Sequence, residues 1–144
     1  MPKGKTLKAS TRKSAIPKPT ARVVTMAMYD YHIAEDTGKH GLVGIFDTFW
    51  SKQFPTRVAF YLYVKSTGTP GRHSAQIELK DKTSGKHLIE PLTYEFSLPD
   101  KPVAYIDLVS QMSLDLAGPG VLEWQVYVDG KLSEAYPFQV VKVD

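Results

Sequence analysis

Beyond residue 20, apolar and polar positions alternate with a period of two along most of this chain. The clearest case is Ala75, Ile77 and Leu79 interleaved with Gln76, Glu78 and Lys80, a strand with one buried and one wet face. Leu122, Trp124, Val126 and Val128 form another inward row, as do Tyr94, Phe96 and Leu98, and then Phe138 and Val140 within 136–141. Over 57–65, Phe60, Leu62 and Val64 face one way while Ala59, Tyr61 and Tyr63 face the other. Ile106, Leu108, Met112, Leu114 and Leu116 keep one parity over 103–116, a span long enough to predict a dividing bulge or bend. Residues 23–33 and 41–49 are apolar at both parities, which predicts central strands covered on both sides.

Turn residues separate these runs. Gly68-Thr69-Pro70-Gly71, Pro99-Asp100-Lys101-Pro102 and Gly118-Pro119-Gly120 break the chain, and Asp129-Gly130 predicts a type I′ hairpin turn. Asp81 to Lys86 reads as a hairpin-type loop with Gly85 free for a left-handed position. No amphipathic helix of ten residues appears, and no repeat. Eight short strands with these turns predict an all-β domain over 21–144. The expected form is an antiparallel β-sandwich, immunoglobulin-like with Greek-key connections; a barrel is the alternative.

Charge divides the chain in two. Residues 1–20 carry Lys3, Lys5, Lys8, Arg12, Lys13 and Lys18 with no acid, while residues 21–144 hold 12 basic and 15 acidic residues. Leu7 and Ile16 are the only large aliphatic residues of the first segment, too few to order it, so an extended basic N-terminal arm is expected. Its six charges and two apolar anchors are candidates for partner contact.

The chain has no cysteine, which excludes disulfides and thiolate chemistry, and no asparagine, which excludes N-glycosylation. No apolar run approaches the length of a membrane span, and no secretory signal opens the chain. A cytoplasmic protein, or a virion component if phage-encoded, is expected. Catalytic signals are thin. His32, His40, His73 and His87 have no spacing that sets two ligands on one strand or helix face, so no metal site and no cofactor is expected. Ser84-Gly85-Lys86 lacks the earlier glycine of a phosphate loop, since Lys80 stands there. Asp47, among Ile45, Phe46, Phe49 and Trp50, is expected to cap backbone amides toward Phe54-Pro55. The tyrosines opposite the inward rows, Tyr61 and Tyr63 and also Tyr105 and Tyr127, are candidates for a protein- or sugar-contact patch.

The segment Gly44-Ile45-Phe46-Asp47, followed after six residues by Phe54-Pro55, resembles a group of uncharacterised bacterial and phage proteins with a G-x-F-D-x6-F-P segment. Ile77-Glu78-Leu79 before Gly85, then Val128-Asp129-Gly130 and Pro137-Phe138-Gln139-Val140, extend the resemblance over about residues 22–141. It implies a compact β domain and no catalytic residues. The expected function is a non-enzymatic structural or interaction module, anchored to a protein assembly or homo-oligomer by its basic arm. Nucleic-acid association through phosphate contacts of the arm is the alternative.

Overall fold

The computed structural model describes residues 20–144, so Lys3, Lys5, Leu7, Lys8, Arg12, Lys13, Ile16 and Lys18 lie outside the described residues. Among the described residues there are nine strands and no helix. They are β1 (Ala21–Ala34), β2 (His40–Phe46), β3 (Thr48–Ser51), β4 (Thr56–Gly68), β5 (Gly71–Asp81), β6 (Leu92–Leu98), β7 (Tyr105–Leu116), β8 (Gly120–Val128) and β9 (Lys131–Lys142). Two sheets pack together, a five-stranded one in the order β3-β9-β8-β5-β6 and a four-stranded one in the order β2-β1-β4-β7.

The inward rows read from the sequence meet between the sheets. Phe60, Leu62 and Val64 of β4 pack with Ile77 and Leu79 of β5 and with Trp124 and Val126 of β8. Trp124 is fully buried, and its indole N–H points at the Met28 sulfur 3.1 Å away, which anchors β8 to β1 across the core. The turns follow their residues as well. Asp129 and Gly130 both adopt positive φ, 50° and 82°, as a type I′ hairpin requires. Asp81 accepts from the backbone N–H groups of Thr83 and Ser84, and Gly85 sits at φ 76°.

Three expectations about the strands need correction. The segment 41–49 is not one central strand: Phe46 ends β2 at the edge of the four-stranded sheet, and Thr48 begins β3 at the edge of the other. The sandwich is not wholly antiparallel, because β3 pairs with β9 in parallel, Thr48 opposite Gln139 and Ser51 opposite Lys142. No bulge divides β7, which pairs with β4 from Tyr105 to Leu116 without a register shift. The irregularities fall instead between Val23 and Thr25 of β1 and between Leu132 and Glu134 of β9.

One buried polar centre ties the turns at one end of the sandwich. His73, on the inward side of β5, is only 3% exposed and stacks on Phe96. Its Nδ1 lies 2.7 Å from an Asp129 carboxylate oxygen, and its Nε2 lies 2.7 Å from the Thr69 carbonyl. Both partners can only accept, so both ring nitrogens carry a proton and the side chain is an imidazolium. Burial works against that charge, but the bonds to Thr69 and Asp129 outweigh it and hold the pKa above the ordinary histidine value.

Candidate functional site

The four-stranded sheet turns one face to the core and the other outward, and the outward face is aromatic. Tyr61, Tyr63 and Lys65 project from β4, opposite Phe60, Leu62 and Val64 as the alternation requires. The register sets Tyr29 beside Tyr61 and Ala27 beside Tyr63 on β1, and Val109 and Asp107 beside Tyr63 and Lys65 on β7. Tyr29 and Tyr61 stack with centroids 5.6 Å apart. Ala27, Tyr29 and Tyr63 are buried there in a small second cluster with Leu42, Tyr61 and Val109.

What buries them is the far half of the β1–β2 hairpin. A flat sheet would hold His40 of β2 about 14 Å from Asp107 of β7, because β1 and β4 lie between them. Yet His40 Nε2 is 3.5 Å from an Asp107 oxygen. The hairpin therefore bends over the sheet as a flap. The bend is visible in the side chains. Tyr29 and His32 are three residues apart, a spacing that sends strand residues to opposite faces, but the Tyr29 hydroxyl meets His32 Nδ1 at 2.7 Å. The facing reverses at Asp30 and Gly44, the one gap in an otherwise continuous β1–β2 register. Gly44 has φ 77°, and a Cβ there would lie 2.5 Å from the Asp30 carboxylate, so only glycine fits the crossing.

Beyond the bend the flap has two sides. His32, His40 and Leu42 turn inward: the His32 ring lies 6.0 Å from Tyr61, the His40 ring 5.8 Å from Tyr63, and Leu42 packs on the tyrosine cluster. Tyr31, Ile33 and Val43 turn outward and are 68%, 51% and 45% exposed. Tyr31 and Val43 are directly cross-strand, and Ile45 is exposed nearby.

Polar groups join the flap to its floor in a line. Tyr29 OH contacts His32 Nδ1, His32 Nε2 contacts His40 Nδ1 at 3.1 Å, His40 Nε2 faces Asp107, and Asp107 accepts from the Tyr63 hydroxyl. Lys65 Nζ stands 3.5 Å from the same carboxylate and 4.9 Å over the Tyr105 ring. Where His32 Nδ1 accepts the Tyr29 hydroxyl proton, His32 carries its own proton on Nε2 and donates it to His40 Nδ1. Burial, then the hydrogen bond to Asp107, push the Tyr63 phenol well above the ordinary tyrosine pKa, and burial beside Tyr61 raises Tyr29.

The other outward face is polar. Gln76, Glu78 and Lys80 of β5 lie beside Tyr127, Gln125 and Glu123 of β8. Together with Thr93 and Glu95 of β6, part of this face lines a shallow concavity of about 820 Å³. Its carboxylates are engaged. His87 and Gln76 bond Glu78, and Gln125 and Lys82 bond Glu123, which lowers both pKa values.

The four outward tyrosines do not form one patch. Tyr61 is half-buried and Tyr63 buried under the flap; Tyr105 is exposed on the same sheet, and Tyr127 lies on the other. Asp47 does not cap amides toward Phe54-Pro55; its carboxylate is solvent-facing and accepts from the Thr48 hydroxyl at 2.9 Å. Tyr29, His32, His40 and Asp107 escape sequence reading, because only the hairpin register and the bend at Gly44 bring them together.

None of the curated proteins matches the chain. A family model matches most of the sandwich, from the middle of β1 to near the end of β9, flap and tyrosine floor included. Over residues 27–141 the chain belongs to DUF6941, a family of unknown function.

Proposed function

We propose that this chain is a non-enzymatic structural or interaction module whose sandwich is built into a protein assembly and anchored there by its basic residues 1–20. The observation that carries this reading is the solvent side of the flap. Tyr31, Ile33 and Val43 expose large apolar groups together on one hairpin. An isolated chain gains nothing from such exposure, whereas a protein partner buries it. Charge supports the role of the basic segment: its six unopposed cations complement a body with 12 basic and 15 acidic residues, which suits the segment of one copy to the body of a neighbour. Fully extended, 20 residues reach about 65 Å, enough to cross a neighbouring sandwich. An immunoglobulin-like, Greek-key topology, a bacterial or phage origin marked by the segment from Gly44 to Pro55, and a cytoplasmic or virion location belong with this reading.

The six cations equally suit phosphate contacts, so nucleic acid is the competing partner. Sedimentation of the full chain separates the two. Self-association is expected at low salt. Tyr31→Ser with Val43→Ser should weaken it, as should deletion of residues 1–19, which spares the bonds between Thr20 and Thr69. A chain that stays monomeric while binding duplex DNA, with a log–log salt slope approaching about −5, would replace assembly by nucleic-acid association.

A further inference from the structure

We infer that His32 Nε2 and His40 Nδ1 form a two-nitrogen chelate for a borderline divalent transition ion, which would staple the two strands of the flap over its tyrosine floor. The two nitrogens are 3.1 Å apart on facing rings inclined at 46°. Metal–imidazole bonds of about 2.0–2.1 Å put neighbouring nitrogens about 2.9 Å apart at a right angle and about 3.4 Å apart at the tetrahedral angle. The observed separation falls between these, so the backbone already holds the donors at chelating distance. A turn of each ring toward solvent aims both lone pairs at one ion, and both residues are partly open to solvent.

The outer nitrogens have partners within reach. An Asp107 oxygen stands 3.5 Å from His40 Nε2, close enough for the carboxylate to orient a ligating imidazole once the ring turns. Tyr29 OH meets His32 Nδ1 at 2.7 Å. Chelation needs the His32 proton on Nδ1 instead of Nε2. The Tyr29 hydroxyl can accept it as readily as it donates, so the ion replaces the shared proton with no net change in bound protons. Lys65 is paired with the Asp107 carboxylate. Among the described residues no three His, Cys, Asp or Glu side chains converge. Water therefore completes the coordination, which favours Cu²⁺, the ion that nitrogen donors bind most tightly in the divalent series.

Titration of the full chain with copper(II) chloride, followed by calorimetry and electron paramagnetic resonance, tests this. One ion per chain is expected, with hyperfine structure from two imidazole nitrogens. Asp107→Asn should weaken binding about tenfold, and His32→Gln or His40→Gln should weaken it further. His87→Gln, in the loop after β5, should leave it unchanged. The resonance spectrum of the unaltered chain counts nitrogen donors whether or not a variant folds. One imidazole nitrogen or none in that spectrum would overturn the inference, as would affinity unchanged in both histidine variants.

Discussion

Replacing His73 by phenylalanine should destabilise the fold and flatten its stability profile around neutral pH. The ring volume and the stacking on Phe96 are largely kept, while two charge-assisted hydrogen bonds of 2.7 Å are lost. Bonds of that kind contribute about 1.5–3 kcal/mol each. Part of the loss is offset, because Asp129 still accepts from the Ser74 N–H at 3.1 Å and reaches solvent. The expected cost is about 2–4 kcal/mol, with the lost donor to the buried Thr69 carbonyl included. The pH dependence carries its own sign. The His73 pKa is raised in the folded state, so the native protein holds this proton more tightly than the unfolded chain does. Its stabilisation is complete below the unfolded value of about 6.5 and is lost as pH rises through the higher folded value. Urea unfolding from pH 5 to 9 reads both effects. The unaltered protein should lose stability above neutrality, and His73→Phe should lose correspondingly less over the same range. Parallel profiles, or nitrogen chemical shifts showing a neutral His73 ring at pH 7, would refute the imidazolium.

Trp124→Ala should cost about 3–5 kcal/mol by chemical denaturation, since the side chain is fully buried; a loss under about 1 kcal/mol would contradict its place in the core. Gly44→Ala meets both a left-handed φ and the Asp30 carboxylate, so about 1–3 kcal/mol of destabilisation and faster proteolysis within the flap are expected. Pairing it with Asp30→Gly removes the contact but not the backbone strain, so only partial recovery should follow. Absorbance titration of the phenols should find Tyr63 and Tyr29 ionising after the exposed tyrosines. Because their folded values are raised, the protein should lose stability as pH climbs past about 10, where the unfolded phenols release protons first.

The parts of this fold that were legible in the sequence are those where one physical rule acts alone. The rows Ala75-Ile77-Leu79 and Leu122-Trp124-Val126-Val128 separate core from solvent, and period two reports that directly. The Asp129-Gly130 turn was legible because both positions need positive φ. The β1–β2 hairpin was not. Apolar residues at both parities suggested a strand covered on both faces, but Tyr31, Ile33 and Val43 are apolar and exposed, on a flap whose facing reverses at Gly44. Nor could the spacing of His32 and His40 reveal their contact, since eight intervening steps of chain carry no periodic signal and only the hairpin closes them. The parallel pairing of β3 was hidden for a similar reason: four residues are too few to show a period, and their partner lies about ninety residues away.

That parallel pair sets an order on biosynthesis. Thr48 to Ser51 have no place in a sheet until residues 139–142 have left the ribosome, and the N–H of Val143 then bonds the Ser51 carbonyl. Until that moment Phe49 lacks Phe138, the partner that closes its side of the core, although Phe46 and Phe60 emerged long before. The growing chain thus carries an incomplete sandwich through most of its translation, with an aromatic edge open to chaperones or to wrong partners. A ribosome stalled before Phe138 should hold a nascent chain that proteases cut near Trp50, and one stalled on a long linker appended after Asp144 should not.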